Sequence, residues 1–225
     1  MREELWRASA ERREKSQMMA FMKQLKARHG LEFEDYRELH DWSIKEPELF
    51  WDELWKFFEI KTSKPYDKVV DDLHKFPGAE WFPGAMQNYT ENMLRERKGD
   101  EPALIFRGED SERRVISWSE LRSQVFRIAE ALRAEGLKAG DTVAAYMPNL
   151  PETVIAMLAA AAAGIVWCSC ATDIGPQAAT DRLGQVEPKV LFTTDAYYYK
   201  GKTFDVSAKA AQLAQNMPSV KRVVY

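Results

Sequence analysis

The chain has 225 residues, 45% of them hydrophobic, and a net charge of −3 from 32 basic and 35 acidic side chains. That length can bury enough apolar surface for one large domain or one and a half, and the balanced charge excludes a global attraction to nucleic acid. The first thirty residues carry Arg12-Arg13-Glu14-Lys15 and no apolar run of signal-peptide length, and the alanine run Ala159–Ala163 lies between Pro151 and Gly164, too close together to span a bilayer; a cytoplasmic protein without a membrane partner is expected.

Residues 1–95 read as helix and loop with heavy aromatic content, a helical amino-terminal wrapper. Met18, Phe21, Met22 and Leu25 keep helical spacing, and Gly30 is placed to end that helix. A second helix is expected from Pro47, whose fixed φ suits a first turn, with Phe50, Trp51, Leu54, Trp55 and Phe58 on one stripe. Such a stripe reads as a surface that packs against the α/β body rather than a ligand box, and Arg12–Lys15 reads as a solvated helix face. Lys64 to Trp81, with Pro65, Pro77 and Gly78, reads as irregular loop. Trp81-Phe82-Pro83-Gly84 reads as a turn with a buried aromatic anchor, followed by a short helix through Tyr89 and Leu94.

From residue 96 the pattern becomes that of an incomplete α/β domain. Ala103–Arg107 and Arg114–Ile116 read as a hairpin joined through Gly108-Glu109-Asp110. Ser117 and Glu120 are spaced as a capping box for a helix through Leu121, Val125, Ile128 and Leu132 that ends at Gly136. Thr142–Met147 reads as a buried strand, and Asn149 with Pro151 opens the alanine-rich helix that closes at Gly164. Ile165–Cys170 comes next as strand, Pro176–Leu183 as helix, Lys189–Thr193 as strand, Phe204–Ala214 as helix and Arg222–Tyr225 as the last strand. Strands separated by helices of this length imply right-handed crossovers and part of a doubly wound parallel sheet. Because the chain ends on a strand, the α/β domain reads as unfinished, and self-association through that unfinished sheet edge is expected.

Cys168 and Cys170 lie two apart and face the same way on a strand. With no further Cys and only His29, His40 and His74, they fall short of a zinc site and read as buried or half-buried thiols, so no metal site is assigned.

Several segments carry a family resemblance. Trp81-Phe82-Pro83-Gly84 followed by Asn88-Tyr89-Thr90-Glu91-Asn92-Met93-Leu94 resembles the opening segment of short-chain acyl-CoA synthetases. Ile116-Ser117-Trp118-Ser119-Glu120-Leu121 resembles the first core motif of the adenylate-forming superfamily, and Gly140 to Asn149 its next strand and turn. The alanine-rich helix into Gly164-Ile165-Val166 is similar to the second core motif. Within the superfamily, Tyr36 to Trp51, Asn88-Tyr89 with Glu91-Asn92, and Asp173-Ile174-Gly175 resemble the acetoacetate–CoA ligases, although Ile174 stands where an aromatic is usual.

The resemblance implies an enzyme that activates acetoacetate with ATP and Mg2+ to an acyl-adenylate and transfers it to CoA, giving acetoacetyl-CoA, AMP and pyrophosphate. It covers nearly the whole chain. The family's phosphate loop ending in Lys, its aromatic-Thr-Glu segment, its hinge Asp and its carboxy-terminal catalytic Lys have no match between Met1 and Tyr225. No catalytic residue is therefore assigned, the ATP and Mg2+ sites are placed outside this chain, and the piece alone is expected to be inactive.

The candidate site is the loop Tyr197-Tyr198-Tyr199-Lys200-Gly201-Lys202 after the strand Lys189–Thr193, at the carboxyl edge where open parallel sheets bind ligands. Related synthetases have a basic-Gly-Gly-basic run here that contacts the phosphate end of CoA. Tyr199 replaces the first basic residue and Lys200 the first glycine, whereas Gly201 and Lys202 match. Tyr199, Lys200, Gly201 and Lys202 are the coenzyme-binding candidates, and the alternative is a solvated Lys-Gly-Lys turn. Thr172-Asp173-Ile174-Gly175 reads either as part of the same CoA surface or as a turn capped by Asp173. Two function classes stay open: a fragment of an acid–thiol ligase, for acetoacetate or another short acid such as acetate or propionate, and a stand-alone CoA- or nucleotide-binding or interaction module.

Overall fold

The structure is a computed structural model that describes residues 6–95, 97–109 and 113–225. It divides into two compact units, Met1–Gln87 and Asn88–Tyr225.

The first unit is helical. Helix α1 (Ala10–Glu14) precedes α2 (Gln17–His29), where Ser16 accepts a hydrogen bond from Met19 N and left-handed Gly30 ends the helix. Helix α3 (Tyr36–Lys45) starts at Asp35, whose carboxylate accepts from Glu38 N, while the Glu38 carboxylate accepts from Glu34 N. Helix α4 (Pro47–Phe57) has its proline in the first turn. Phe21, Met22, Leu25 and Leu39 form the buried centre. Met18, on the expected stripe, stays 46% exposed. Phe50 and Phe57 meet Phe21 edge-on at 6.1 and 5.3 Å, so the aromatic stripe packs on rings of its own unit. In Trp81-Phe82-Pro83-Gly84 the anchor is Phe82, 4.4 Å from Trp55, and not Trp81, which is 43% exposed.

Glu53 on α4 is 0% exposed. Its carboxylate lies 3.1 Å from His29 Nε2, 3.3 Å from Gln24 Nε2, and 3.4 Å from both Arg28 Nε and Lys56 Nζ. Burial pushes the carboxyl up, but the hydrogen bonds from His29 and Gln24 and the charges of Arg28 and Lys56 outweigh it and hold the group below its ordinary value of 4.5. His29 thus has a carboxylate partner on another helix, where sequence spacing showed none. The pair α2–α4 is joined by this polar cluster as well as by the phenylalanines.

In the second unit, α5 (Tyr89–Met93) is capped by Asn88, which accepts from Thr90 N and Glu91 N and donates Nδ2–H to Ala161 O at 2.8 Å. The buried Thr90 hydroxyl donates to Leu158 O at 2.7 Å. Strands β1 (Pro102–Phe106) and β2 (Arg114–Ser117) pair antiparallel; of the expected connection Gly108-Glu109-Asp110, Asp110 lies outside the described residues. Helix α6 (Trp118–Ala134) begins at Ser117, whose hydroxyl accepts from Glu120 N. The return half of the expected capping box is replaced, because the Glu120 carboxylate accepts from Gln124 Nε2 at 3.0 Å.

Strand β3 (Thr142–Tyr146), helix α7 (Pro151–Ala162), strand β4 (Val166–Cys170), helix α8 (Pro176–Leu183) and strand β5 (Val190–Thr193) then alternate. Two short strands come next, β6 (Ala196–Tyr199) and β7 (Lys202–Asp205), then α9 (Ser207–Asn216) and β8 (Arg222–Val224). The parallel sheet has the order β4-β3-β5-β8, with Val143 opposite Trp167 and Val190. Alternation along β3 divides the core. Val143 and Ala145 pack with Leu132 of α6 and Ala156 and Ala160 of α7. Ala144 and Tyr146 pack with Ala179 and Leu183 of α8 and Leu213 of α9. Helices cover both faces, which is the doubly wound arrangement. The helix expected over Phe204–Ala214 begins only at Ser207, because Phe204 is paired in β7.

Because the folded-state proton affinity of Glu53 is depressed, its contribution to stability is present above the ordinary carboxylate range and lost as pH falls through the lowered value. Glu53→Gln is expected to lower stability at neutral pH by about 1–3 kcal/mol. It should also flatten the loss of stability below the ordinary value of 4.5. Urea midpoints followed by tryptophan fluorescence from neutral to about pH 3 check this; equal pH slopes for the two proteins would count against it.

Candidate functional site

The carboxyl ends of β3, β4 and β5 lie along one edge of the sheet, and three features gather there. Tyr146, the last residue of β3, is fully buried, and its hydroxyl lies 2.7 Å from the carbonyl oxygens of both Thr172 and Ile174. Burial pushes the Tyr146 phenol up, and the neighbouring Cys170, Tyr197 and Asp173 add to it, so the group stays protonated and donates. The loop after β4 is thereby tied to the end of the central strand. Ile174 of that loop and Tyr197 of β6 pack on the same cluster as Tyr146. Helix α8, which follows this loop, has Gly175 at its N-cap and no side-chain cap. Half-buried Cys168 and Cys170 pack into this cluster too, and burial pushes the Cys170 thiol up, away from the thiolate.

The segment expected as the loop Tyr197–Lys202 is a β-ribbon. Pairing runs Ala196 to Asp205, Tyr197 to Phe204, Tyr198 to Thr203 and Tyr199 to Lys202. The two central residues, Lys200 at φ 50° and Gly201 at φ 71°, are both left-handed, as in a type I′ turn. Gly201 takes that backbone freely and leaves open space where a Cβ would point. A left-handed lysine is strained by about 1 kcal/mol, and Lys200 stands where the resembled run has its first glycine. A turn with two left-handed residues is the physical reason a Gly-Gly pair suits this position.

The base of the ribbon is well held. Asp195 O accepts from Val206 N at 2.8 Å, its carboxylate accepts from Ala196 N at 2.9 Å, and Tyr197 stacks on Phe204 at 5.2 Å. The Asp205 carboxylate accepts from Ser207 N at 2.7 Å, and that backbone hydrogen bond holds its carboxyl below the ordinary value. The tip is exposed: Tyr198 is 56% and Tyr199 51% accessible. Lys200 Nζ lies 5.1 Å above the Tyr199 ring, and Gly201 N donates to Glu109 Oε2 at 3.1 Å.

The four candidate residues Tyr199, Lys200, Gly201 and Lys202 are thus brought together on one turn, with the Thr172–Gly175 loop rooted in the same core. Among the described residues neither Lys200 nor Lys202 forms an ion pair. Two lysines without an ion pair among the described residues, around an amide that already binds a carboxylate, have the chemistry of an anion site. No group of three His, Cys, Asp or Glu among the described residues could hold a metal ion. No helix among them is long and apolar enough to cross a membrane. Glu109 is the residue that sequence reading missed at this site, where it had only a place in a hairpin turn.

Known proteins resemble the chain along nearly all of its length. Residues 36–93 match the family described as acetyl-coenzyme A synthetase N-terminus. An acetoacetyl-coenzyme A synthetase of Rhizobium meliloti is 42% identical over 213 residues, covering 95% of this chain and 32% of that protein. A malonamoyl-CoA synthetase of Penicillium aethiopicum is 37% identical over 226 residues, covering 98% of the chain and 31% of its own length. The structure of the acetoacetyl-CoA synthetase from Streptomyces lividans superposes with a TM-score of 0.94 at 41% identity, covering 99% of this chain and 35% of that one. The chain thus spans about a third of the length of the relatives it matches, and its mixed helix and parallel-sheet fold matches the amino-terminal part of an acyl-CoA synthetase. Residues 91–225, more than half of the chain, match the family described as AMP-binding enzyme, and the chain belongs to that family.

Proposed function

We propose that these residues form the coenzyme-side part of an ATP-dependent acid–thiol ligase that converts acetoacetate to an acyl-adenylate and passes the acyl group to the thiol of CoA. The observation that carries this reading is the β6–β7 turn. It sets two ammonium groups without an ion pair among the described residues, and an open left-handed glycine, beyond the carboxyl edge of a parallel sheet, in a chain similar to acetoacetyl-CoA synthetases. In this reading Lys202 attracts and orients the phosphate end of CoA, Gly201 lets that phosphate approach the backbone, and Tyr199 and Lys200 flank it. ATP, Mg2+ and a cytoplasmic location belong to the same proposal for the whole protein. The malonamoyl-CoA synthetase relative favours a second reading with a different short acyl group. Both readings share the coenzyme end, since CoA is the common acceptor.

Lys202→Ala in the full-length ligase is expected to raise the KM for CoA about ten-fold, the loss of one charge-assisted contact, and to change ATP–pyrophosphate exchange far less. Lys200→Ala should do less than Lys202→Ala. If Lys202→Ala slows exchange as much as it raises that KM, the assignment of the turn to CoA fails.

The 225-residue chain by itself is expected to form no acyl-adenylate, because the adenylate-binding motifs of the resembled family have no match in it. Acetoacetate-dependent pyrophosphate release from the purified chain, above a blank, would contradict this.

Strand β8 lies at one margin of the sheet with Val224 and Tyr225 exposed, and the isolated chain is proposed to self-associate there. Light scattering that finds a clean monomer at the highest soluble concentration counts against that.

A further inference from the structure

The anion-binding amide at the tip of the ribbon already carries an anion supplied by the chain. In a two-residue turn the N–H of the second central residue has no partner in the strand ladder. That N–H belongs to Gly201, and it donates to Glu109 Oε2 at 3.1 Å, across 92 positions of sequence. The carboxylate sits on the amide and not on the ammonium groups: Lys200 Nζ lies over Tyr199, and among the described residues neither Lys200 nor Lys202 is ion-paired. The position therefore holds one negative charge on its amide and two positive charges that have no ion-pair partner among the described residues. Both Glu109 and Gly201 are exposed, so the contact is open to exchange with an anion from solution.

We propose that Glu109 is a resident anion in the coenzyme's phosphate seat: its carboxylate holds Gly201 N–H while CoA is absent, gives way to a phosphate of CoA, and so sets coenzyme affinity. This rests on the reading of the turn as the phosphate contact of CoA. A phosphate with a charge near −2 gains from both ammonium groups as well as from the amide, whereas the carboxylate has one charge and one contact. Glu109 competes because it is tethered to the same fold. Exposed charge pairs are screened and contribute little, so the competition changes affinity by about two- to five-fold rather than by orders of magnitude.

The test compares Glu109→Gln and Glu109→Ala in the full-length ligase, with thermal midpoints as the folding control. Dissociation constants are measured by calorimetry for CoA and for dephospho-CoA, which lacks the 3′-phosphate. Glutamine keeps a hydrogen-bond acceptor for Gly201 and removes the charge. Glu109→Gln is expected to bind CoA about two- to five-fold more tightly than the parent enzyme. If the gain is lost with dephospho-CoA, the displacing group is the 3′-phosphate; if it persists, the pyrophosphate takes the seat. CoA binding that is unchanged or weaker in Glu109→Gln overturns the proposal, and weakening confined to Glu109→Ala marks the contact as an anchor of the turn. If Lys202→Ala weakens CoA binding while both Glu109 variants leave it alone, only this inference fails; if none of the three changes it, the reading beneath it fails as well.

Discussion

Strand β3 has partners on both sides and helices on both faces, and the candidate site of the second unit depends on that confinement. A strand with no free edge must satisfy its backbone through β4 and β5 and its side chains through two separate cores. Alanines at 144 and 145 let the helix layers close on it from both sides. Parallel pairing then brings the carboxyl ends of three strands together, and the segments that leave those ends have nowhere to go except the same rim. Tyr146 marks the end of the confined strand, and its hydroxyl passes the position of β3 on to the Thr172–Gly175 loop.

The opening motif of the second unit acts in the same way at a distance from that rim. Asn88 and Thr90 place their side-chain donors on the second unit's own backbone. They donate to the Ala161 and Leu158 carbonyls on α7, so a short helix that would fray alone is fastened to a long one. A sequence signature that identifies a family can thus be a packing device.

Much of this was legible in local pattern. Ser117 before Glu120 and the period of Leu121, Val125 and Leu132 locate α6; Pro176 and Leu183 bound α8; the alternation of apolar runs with helices implies the parallel sheet. What escaped was set by long-range contact or by competing local signals. Tyr197 to Asp205 lacks the polar–apolar alternation of a strand pair, because three tyrosines in a row mask it, so Lys200-Gly201 read as loop although a residue followed by glycine between two β-prone runs is a hairpin signal. Phe204 was drawn into the helical period of the segment after it. Glu53 lies on a helix whose stripe invites the assumption that charged residues face water, and only the meeting of α2 with α4 buries it. Glu109 meets Gly201 across 92 positions, a separation that no period or motif encodes.

The ribbon is also a mechanical object. Its base is clamped by Asp195, Val206 and the Tyr197–Phe204 stack, while its tip carries the hydrogen bond from Gly201 N to Glu109. Four residues of strand make an arm about 13 Å long, so a swing of about 10° at the base carries the tip through roughly 2 Å. That distance is ample to break a hydrogen bond at the tip while bonds near the pivot stretch by tenths of an ångström. Leverage of this kind lets an exposed turn change partners without disturbing the sheet it grows from.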